Sequence, residues 1–220
     1  MAEEAWGRMF SAIGQTDTRQ HYNDYAAKYE QDCACLGYSE PEEMVGMLKE
    51  VLPNFSDDHL QVLDIAAGTG LMGELLRSAN FKGVIDGIDG SANMLEKARE
   101  KGIYRNLIEE FVLPDKALPL KDQMYDVTCC LGSMSVPHIQ PEALKEFVRV
   151  TKTGGMMGFA VVTTPRSGAY EQKLAEIVKS LENSGQWKNL KAIKSAIFQY
   201  NFDKIDAEKT YTTHYVFERL

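Results

Sequence analysis

The chain has 220 residues, of which 44% are hydrophobic and 25% charged, close to average usage in globular proteins. Its 24 basic and 32 acidic residues give a formal net charge of -8, which makes a nucleic-acid backbone an unfavourable partner. No apolar run reaches the roughly 20 residues that a membrane span needs, and the first residues include Glu3 and Glu4 where an export signal would be basic. We therefore expect one cytoplasmic domain without nucleic-acid or membrane partners.

The four cysteines occur as Cys33 and Cys35, one residue apart, and as the adjacent pair Cys129 and Cys130. Neither spacing is typical of a zinc site or of a disulfide framework. We expect free thiols in a reducing compartment and no bound metal, with metal binding by Cys33 and Cys35 as the alternative.

Short apolar runs alternate with helical patterns along the chain, which predicts a βαβ architecture. After a polar lead-in, helices are predicted at 21–32 and 41–52. Strands follow at 61–66, 84–88, 107–113, 125–131 and 156–163, with helices at 71–78, 91–101, 141–150 and 170–183. Segments 196–202 and 211–217, rich in β-branched and aromatic residues, predict a terminal antiparallel pair.

These elements predict an α/β fold with a Rossmann-like, doubly wound sheet of seven strands, mostly parallel, with an antiparallel strand at its carboxyl-terminal end. We expect a single domain over 1–220, with a helical lead-in at 1–55 and the core at 60–220. Ligand chemistry is expected at the carboxyl ends of the first, second and fourth strands.

The first strand ends in the small-residue loop VLDIAAGTG at 62–70. Gly68 and Gly70 tolerate positive φ and have no Cβ, and the helix that follows directs free backbone N–H groups at the loop. A ligand can therefore approach the backbone closely, although a tight strand-to-helix turn without a ligand would have a similar sequence.

The second strand ends in Asp89, 19 positions after Gly70. A carboxylate at this place can accept hydrogen bonds from both hydroxyls of a ribose. The alternative is that Asp89 caps the helix that starts near Ser91, a role that Ser91 could fill by itself.

These two segments, with LPLKDQMYDVTCCLGSM and VTKTGGMMGF further on, resemble the motif series of class I S-adenosylmethionine-dependent methyltransferases over about 22–162. The lead HYNDYAAKYEQD and the segment LGSMS are similar to Williams-Beuren syndrome region methyltransferase-like proteins. The spacing G-x-G-x-x-G of nicotinamide-binding folds is missing, and Asp64 beside the loop would repel a pyrophosphate but attract an ammonium group. The resemblance implies S-adenosylmethionine as cofactor and S-adenosylhomocysteine as product.

The resemblance also implies a set of cofactor contacts. According to the resemblance, Met94 covers the adenine face, and Leu131 and Gly132 line the methionine side. The amino-terminal aromatic helix closes over the cofactor through Tyr25 or Tyr29. Met94 and the two tyrosines could instead be ordinary packing residues. The sequence departs from the family at Ala66, where most relatives have glycine. It also departs at Pro114, where many relatives have an acid that holds the adenine amino group, a role that Asp115 or backbone groups could take. The expected cofactor-binding residues are Asp64, Ala66, Gly68, Gly70, Asp89, Gly90, Met94, Leu113, Asp115, Leu131, Gly132, Tyr25 and Tyr29.

No residue stands out as a general base. Transfer of a methyl group from a sulfonium is a displacement, for which positioning of the reactants alone can supply roughly 7 to 11 kcal/mol. His138 is the best-placed titratable group, with a surface loop histidine as the alternative. The fourth strand is followed by LGSM and not by an Asp/Asn-Pro-Pro-Tyr sequence, which favours a small-molecule methyl acceptor, and Trp187 could add to its wall. Two other hypotheses are a non-catalytic, regulatory S-adenosylmethionine-binding module and a nicotinamide-dependent oxidoreductase. The sequence identifies neither the acceptor nor the oligomeric state.

Overall fold

The computed structural model of the protein describes residues 2–10, 18–165, 167–196 and 211–220. The helices are α1 (Ala2–Phe10), α2 (Thr18–Leu36), α3 (Glu40–Val51), α4 (Leu71–Ser78), α5 (Ala92–Glu100), α6 (Leu144–Val150) and α7 (Gly168–Asn183), with a 3-10 turn at Pro141–Ala143 leading into α6. The strands are β1 (Gln61–Ile65), β2 (Val84–Asp89), β3 (Asn106–Glu109), β4 (Tyr125–Met134), β5 (Thr151–Thr163), β6 (Trp187–Ser195) and β7 (Tyr211–Arg219).

The seven strands form one sheet in the order β3-β2-β1-β4-β5-β7-β6. The first five strands pair in parallel, and β7 is antiparallel to both β5 and β6. The predicted fold class is confirmed. Because the chain moves outward from β1 to β3 and then returns to the other side of β1 with β4, the carboxyl ends of β1, β2 and β4 meet at a topological switch point, where open α/β sheets bind ligands.

Two apolar layers cover the faces of this sheet. Successive residues of a strand point to opposite faces, so Val62 packs with the cluster formed by α3 and α4, whereas Leu63 packs with the cluster formed by α6 and α7. The central strands β1, β4 and β5 are buried over most of their length because both of their faces are covered. None of the described helices has the length and apolar character needed to cross a membrane.

The structure differs from the sequence prediction at both ends of the chain. Helix α1 lies where only a polar lead-in is predicted, and β3 ends at Glu109, so that 110–113 leaves the sheet. The strand that pairs with β7 is Trp187–Ser195. Of the predicted strand at 196–202, residues 197–202 lie outside the described residues.

Trp187 contributes to the core and not to a substrate wall, in contrast to the sequence expectation. It is almost completely buried, and its indole ring stacks on Phe217 with a centroid separation of 4.1 Å. The physical reason is that Trp187 opens β6 and faces α7, to whose Val178 carbonyl the indole N–H donates a hydrogen bond.

Candidate functional site

The loop between β1 and α4 has the backbone geometry of a close-approach loop. Ala66, Gly68 and Gly70 have φ values of 56°, 54° and 88°. The loop is held to the second strand because the Ala67 N–H donates to the Ile88 carbonyl at 3.0 Å. Left-handed backbone costs an alanine about 1–2 kcal/mol, so Ala66 stores strain at the position where the sequence departs from its relatives.

Asp89 organises this loop from the end of β2. Its Oδ2 accepts a hydrogen bond from the Gly68 N–H at 2.9 Å, and its Oδ1 accepts one from the Ser91 N–H at 2.8 Å. The N-cap of α5 is Ser91 itself, whose hydroxyl accepts from the Met94 N–H. Burial raises the pKa of Asp89, while the backbone N–H groups of Ser91, Gly68 and Gly90 lower it. Asp89 therefore presents a hydrogen-bonded carboxylate at the carboxyl end of the sheet.

Asp64, inside β1, is only 2% exposed. Its Oδ2 accepts a hydrogen bond from the Tyr104 hydroxyl at 2.6 Å. Burial raises the pKa of Asp64 to about 7, against the lowering effect of that hydrogen bond and with a further rise from the nearby Asp89. Asp64 is thus poised to change its charge near neutral pH when a cation arrives.

Two cavities open at the carboxyl ends of the strands and share Tyr22, Ala66, Asp89 and Ser133 as walls. Their volumes are about 610 and 860 Å³ when the open mouths are included. The first cavity is lined mainly by the glycine-rich loop, the end of β4 and tyrosines of the amino-terminal segment. The second is lined mainly by the residues after β2 and β3 and by the loop after β4.

The structure brings most of the predicted cofactor residues to these cavities. Those that line one or both are Asp64, Ala66, Gly68, Asp89, Gly90, Met94, Leu113, Leu131, Gly132 and Tyr29. Gly70, Asp115 and Tyr25 are not among the lining residues. Gly70 turns the chain into α4, Asp115 is exposed, and the buried Tyr25 donates its hydroxyl to Asp32 at 2.9 Å.

Several lining residues were missed by sequence reasoning. Tyr22 lies seven positions before Tyr29, which puts both on one face of α2, and this helical spacing is the signal that could have singled it out. Phe111 packs on Gly90, where an added Cβ would lie 2.6 Å from its ring. The Thr69 hydroxyl is buried and has no hydrogen-bond partner among the described residues, although it lines the first cavity.

His138 lies at the second cavity and is bonded through both ring nitrogens. Its Nε2 is 2.9 Å from the Tyr22 hydroxyl, and its Nδ1 is 3.2 Å from the Ser135 hydroxyl. Burial lowers the pKa of His138 to about 4, with a smaller contribution from His21. The imidazole is therefore neutral at pH 7, and its hydrogen bonds join α2 to the loop after β4.

Glu40 is a buried acid, 2% exposed, that the sequence analysis did not single out. Its Oε2 accepts hydrogen bonds from the Gly132 N–H at 2.9 Å and from the Tyr38 hydroxyl at 3.2 Å, and its Oε1 accepts one from Thr212 at 3.0 Å. Burial raises its pKa, while these bonds lower it. Glu40 fixes Gly132, which has a φ of 66°, at the floor of the first cavity.

The amino-terminal helices are fastened over the cavities at two points. The Asn23 side chain accepts hydrogen bonds from the Ser91 hydroxyl at 2.7 Å and from the Asn93 N–H at 3.2 Å, which ties α2 to the start of α5. Arg8 donates two hydrogen bonds of 2.7 Å to the buried Asp32, which ties α1 to α2. Helix α1 is thus joined to α2, and α2 to α5.

Comparisons with known proteins agree with this geometry. A family model described as a methyltransferase domain matches residues 62–155. Methyltransferase-like protein 27 of Homo sapiens is 33% identical over 192 residues, covering 86% of this chain and 77% of that protein. Demethylmenaquinone methyltransferase of Desulfitobacterium hafniense is 31% identical over 118 residues, covering 51% of this chain and 46% of that protein.

The fold is also similar to that of solved structures. A chain from the complex between the Haloferax volcanii Trm112 methyltransferase activator and a candidate methyltransferase superposes with a TM-score of 0.69. It is 17% identical in sequence, and the match covers 92% of this chain and 97% of that one.

Proposed function

The chain belongs to the class I S-adenosylmethionine-dependent methyltransferases. From this membership we propose that it methylates a small-molecule acceptor beneath α2, at the place where the two cavities share their walls. The enzyme uses S-adenosylmethionine as its cofactor. Family membership favours catalysis over the non-catalytic module and excludes the nicotinamide-dependent oxidoreductase. We place the activity in the cytoplasm, where a reducing environment keeps the four free cysteines as thiols.

The residues at the two cavities fit this cofactor. The buried Thr69 hydroxyl lacks a partner among the described residues, and the carboxylates of Asp64 and Asp89 both face the first cavity. This donor set suits a cationic, zwitterionic ligand and would repel a phosphate ester. We propose that Asp89 holds the ribose hydroxyls, that Asp64 and Thr69 hold the methionine end, and that Met94, Phe111 and Leu113 surround the adenine.

Glu110 is the acid that lines the adenine side of the site. Its carboxylate accepts hydrogen bonds from the Phe111 N–H at 2.9 Å and from the Lys116 ammonium at 2.7 Å. Asp115, the substitute considered for the missing acid, is exposed and outside the lining. We therefore favour Glu110 or nearby backbone groups over Asp115 for recognition of the adenine amino group.

The observation that carries the small-molecule proposal is the cover over the shared walls of the two cavities. Tyr22 lines both cavities from α2, and Tyr29 lines the first from the same helix, which Asn23 ties to α5. A site closed by a helix in this way admits a compact acceptor more readily than a folded macromolecule. The net charge of -8 further disfavours a nucleic-acid acceptor.

Methyl transfer requires mainly that the methyl donor and the acceptor are aligned and that water is excluded. S-adenosylmethionine supplies an electrophilic methyl group on a sulfonium. The aromatic cover from Tyr22 and Tyr29 excludes water from that region. We propose that His138, which is neutral at pH 7, holds the Tyr22 phenol in place where the two cavities meet. Its role is to position the phenol and not to accept a proton, because an imidazole with a pKa of about 4 is a weak base.

A labelled-methyl assay tests the proposal. The protein is incubated with methyl-labelled S-adenosylmethionine and the separated small-molecule, protein and RNA fractions of a cell extract. We expect label in the small-molecule fraction, and at least tenfold less with Asp89→Ala, which corresponds to ~1.4 kcal/mol of lost cofactor affinity. The control Asp58→Ala removes an exposed carboxylate from the loop before β1 and should leave labelling unchanged. Labelling confined to the protein or RNA fraction would refute the small-molecule acceptor.

A further inference from the structure

Tyr104, between α5 and β3, lies in a slot that three glycines leave open. A Cβ added at Gly73 would lie 2.6 Å from the Tyr104 hydroxyl oxygen, and one added at Gly70 would lie 2.9 Å from its Cε2. A Cβ at Gly87 would lie 3.1 Å from its Cδ1. These separations are shorter than the normal contact between heavy atoms, so any larger residue at these positions would displace the ring. The loop after β1, helix α4 and strand β2 therefore each contain a glycine that leaves space for the Tyr104 ring.

The Tyr104 hydroxyl uses this space to reach Asp64, to which it donates its hydrogen bond of 2.6 Å. The other titratable groups that face Asp64 are Asp89 from the end of β2 and Cys129 and Cys130 from β4. These neighbours bring no positive charge to the Asp64 carboxylate. The Asp64 carboxylate also lines the first cavity, where it can accept further hydrogen bonds from a ligand.

We propose that Tyr104 is a positioning residue of the cofactor site, whose hydroxyl holds the Asp64 carboxylate in the orientation and charge state that receive the amino group of the methionine moiety. This proposal rests on the proposed function and adds a residue that does not line either cavity. Tyr104 acts through Asp64 and does not touch the ligand.

The proposal predicts a specific dependence of cofactor affinity on pH. Because burial raises the pKa of Asp64 to about 7, the free protein carries a protonated Asp64 in mildly acidic solution. An ammonium group binds the ionised form, so ligand binding releases a proton, and affinity falls about tenfold for each pH unit below that pKa. The Tyr104 hydrogen bond lowers the pKa of Asp64, so its loss moves the acidic fall in affinity to higher pH.

The alkaline side of the profile has a different origin. The ligand's own α-ammonium group stands next to a free carboxylate, so it loses its proton only above the pKa of a peptide amino terminus, which is about 7.7–8.0. That fall in affinity belongs to the ligand and is expected to be the same in every protein variant. The acidic side therefore reports the two buried carboxylates of the site, Asp64 and Asp89, of which Asp64 is the one that accepts the Tyr104 hydrogen bond. A loss of general stability would not move it.

The test is calorimetric titration with S-adenosylhomocysteine between about pH 5.5 and 8.5, in two buffers of different ionisation enthalpy so that proton release is measured. Tyr104→Phe is compared with wild type and with Tyr125→Phe, which also removes a buried hydroxyl bonded to a buried carboxylate, that of Asp86, but outside both cavities. We expect Tyr104→Phe to weaken binding by at least about tenfold at pH 7 and to shift the acidic fall to higher pH. Tyr125→Phe should leave the profile in place.

An unchanged acidic side in Tyr104→Phe, or an equal shift in Tyr125→Phe, would overturn the proposal. Failure of the wild type to bind at any pH would instead contradict the proposed cofactor site, so the two failures are distinguishable. If Tyr104→Phe does not fold, Gly73→Ala displaces the same hydroxyl while keeping the phenol, with Gly46→Ala as the control in open space on α3. Gly73→Ala is expected to shift the acidic side as Tyr104→Phe does, and an unshifted profile would refute the role of Tyr104.

Discussion

Asp64 illustrates, at the scale of a single residue, a side chain retained at the expense of stability. Its folded-state pKa of about 7 lies above the ordinary value of 3.8, so the folded protein binds a proton there that the unfolded chain releases. Stability from this group is therefore present below about pH 4 and is lost as the pH rises through 7. A buried acid with this behaviour is expected where a ligand's positive charge later compensates it.

We predict that Asp64→Asn stabilises the protein more at pH 8 than at pH 4. The difference between the two changes in the free energy of unfolding is as much as ~4 kcal/mol, since each pKa unit corresponds to ~1.36 kcal/mol. Asparagine keeps an acceptor for the Tyr104 hydroxyl but does not titrate. Urea denaturation at both pH values measures the difference, with the exposed Asp58→Asn as the control. A stability gain that is the same at pH 4 and pH 8 would contradict the assignment.

Ala66 provides a second prediction for a single residue. Its φ of 56° is left-handed, and replacing alanine by glycine removes a strain of about 1–2 kcal/mol at the cost of unfolded-state entropy of about 0.4–1 kcal/mol. Ala66→Gly is therefore expected to leave stability equal or raise it by up to ~1.6 kcal/mol. The neighbouring Ala67→Gly, where φ is not positive, should lower stability. Thermal unfolding of the two variants checks the prediction, and equal losses in both would show that Ala66 is not strained.

Among the secondary-structure elements, the packing of α3 on the sheet depends on a missing side chain. A Cβ at Gly158 in β5 would overlap the sulfur of Met44 in α3. Any larger residue at Gly158 would therefore require the fully buried Met44 side chain to move. This contact places the amino-terminal end of α3, with Glu40 and Tyr38 beside it, close to Gly132 at the end of β4.

We predict that Gly158→Ala lowers the free energy of unfolding by about 1–3 kcal/mol through overpacking. Gly46→Ala is the matched control, because Gly46 lies on the exposed side of α3 with nothing near its added Cβ. That change should stabilise the protein by about 0.5–1 kcal/mol through helix propensity. Urea denaturation of both variants gives the comparison, and similar effects in the two would argue against close packing at Gly158.

At the scale of the whole molecule, one aromatic part of the core lies apart from the candidate site. Trp187, Phe159 and Phe217 stack between the carboxyl-terminal strands and α7, and none of them lines the cofactor cavities. Stability and ligand binding can therefore be changed independently.

We predict that Trp187→Ala lowers the free energy of unfolding by about 3–5 kcal/mol and leaves the affinity for S-adenosylhomocysteine within about twofold where the protein is folded. Chemical denaturation and calorimetry measure the two quantities on the same sample. A large loss of affinity with an intact fold would place Trp187 near the site, as the sequence suggests.

The sequence by itself determined the order of strands and helices over 18–183, the fold class and the positions of the loops that follow β1 and β2. These features are local, because strand patterns and glycine turns depend on neighbouring residues. Asp64, Asp89 and the loop at 66–70 are accordingly identifiable from the sequence alone, and the structure places Asp64 and Asp89 at one cavity.

Only the tertiary structure decided which distant side chains complete the site. Glu40 meets Gly132 across 92 positions, and Tyr104 meets Asp64 across 40. Which face of α2 covers the cavities was also settled by packing, because Tyr25 is drawn to Asp32 while Tyr22 reaches His138. No local pattern encodes such contacts, since they arise when the folded sheet brings strand ends and helix termini together.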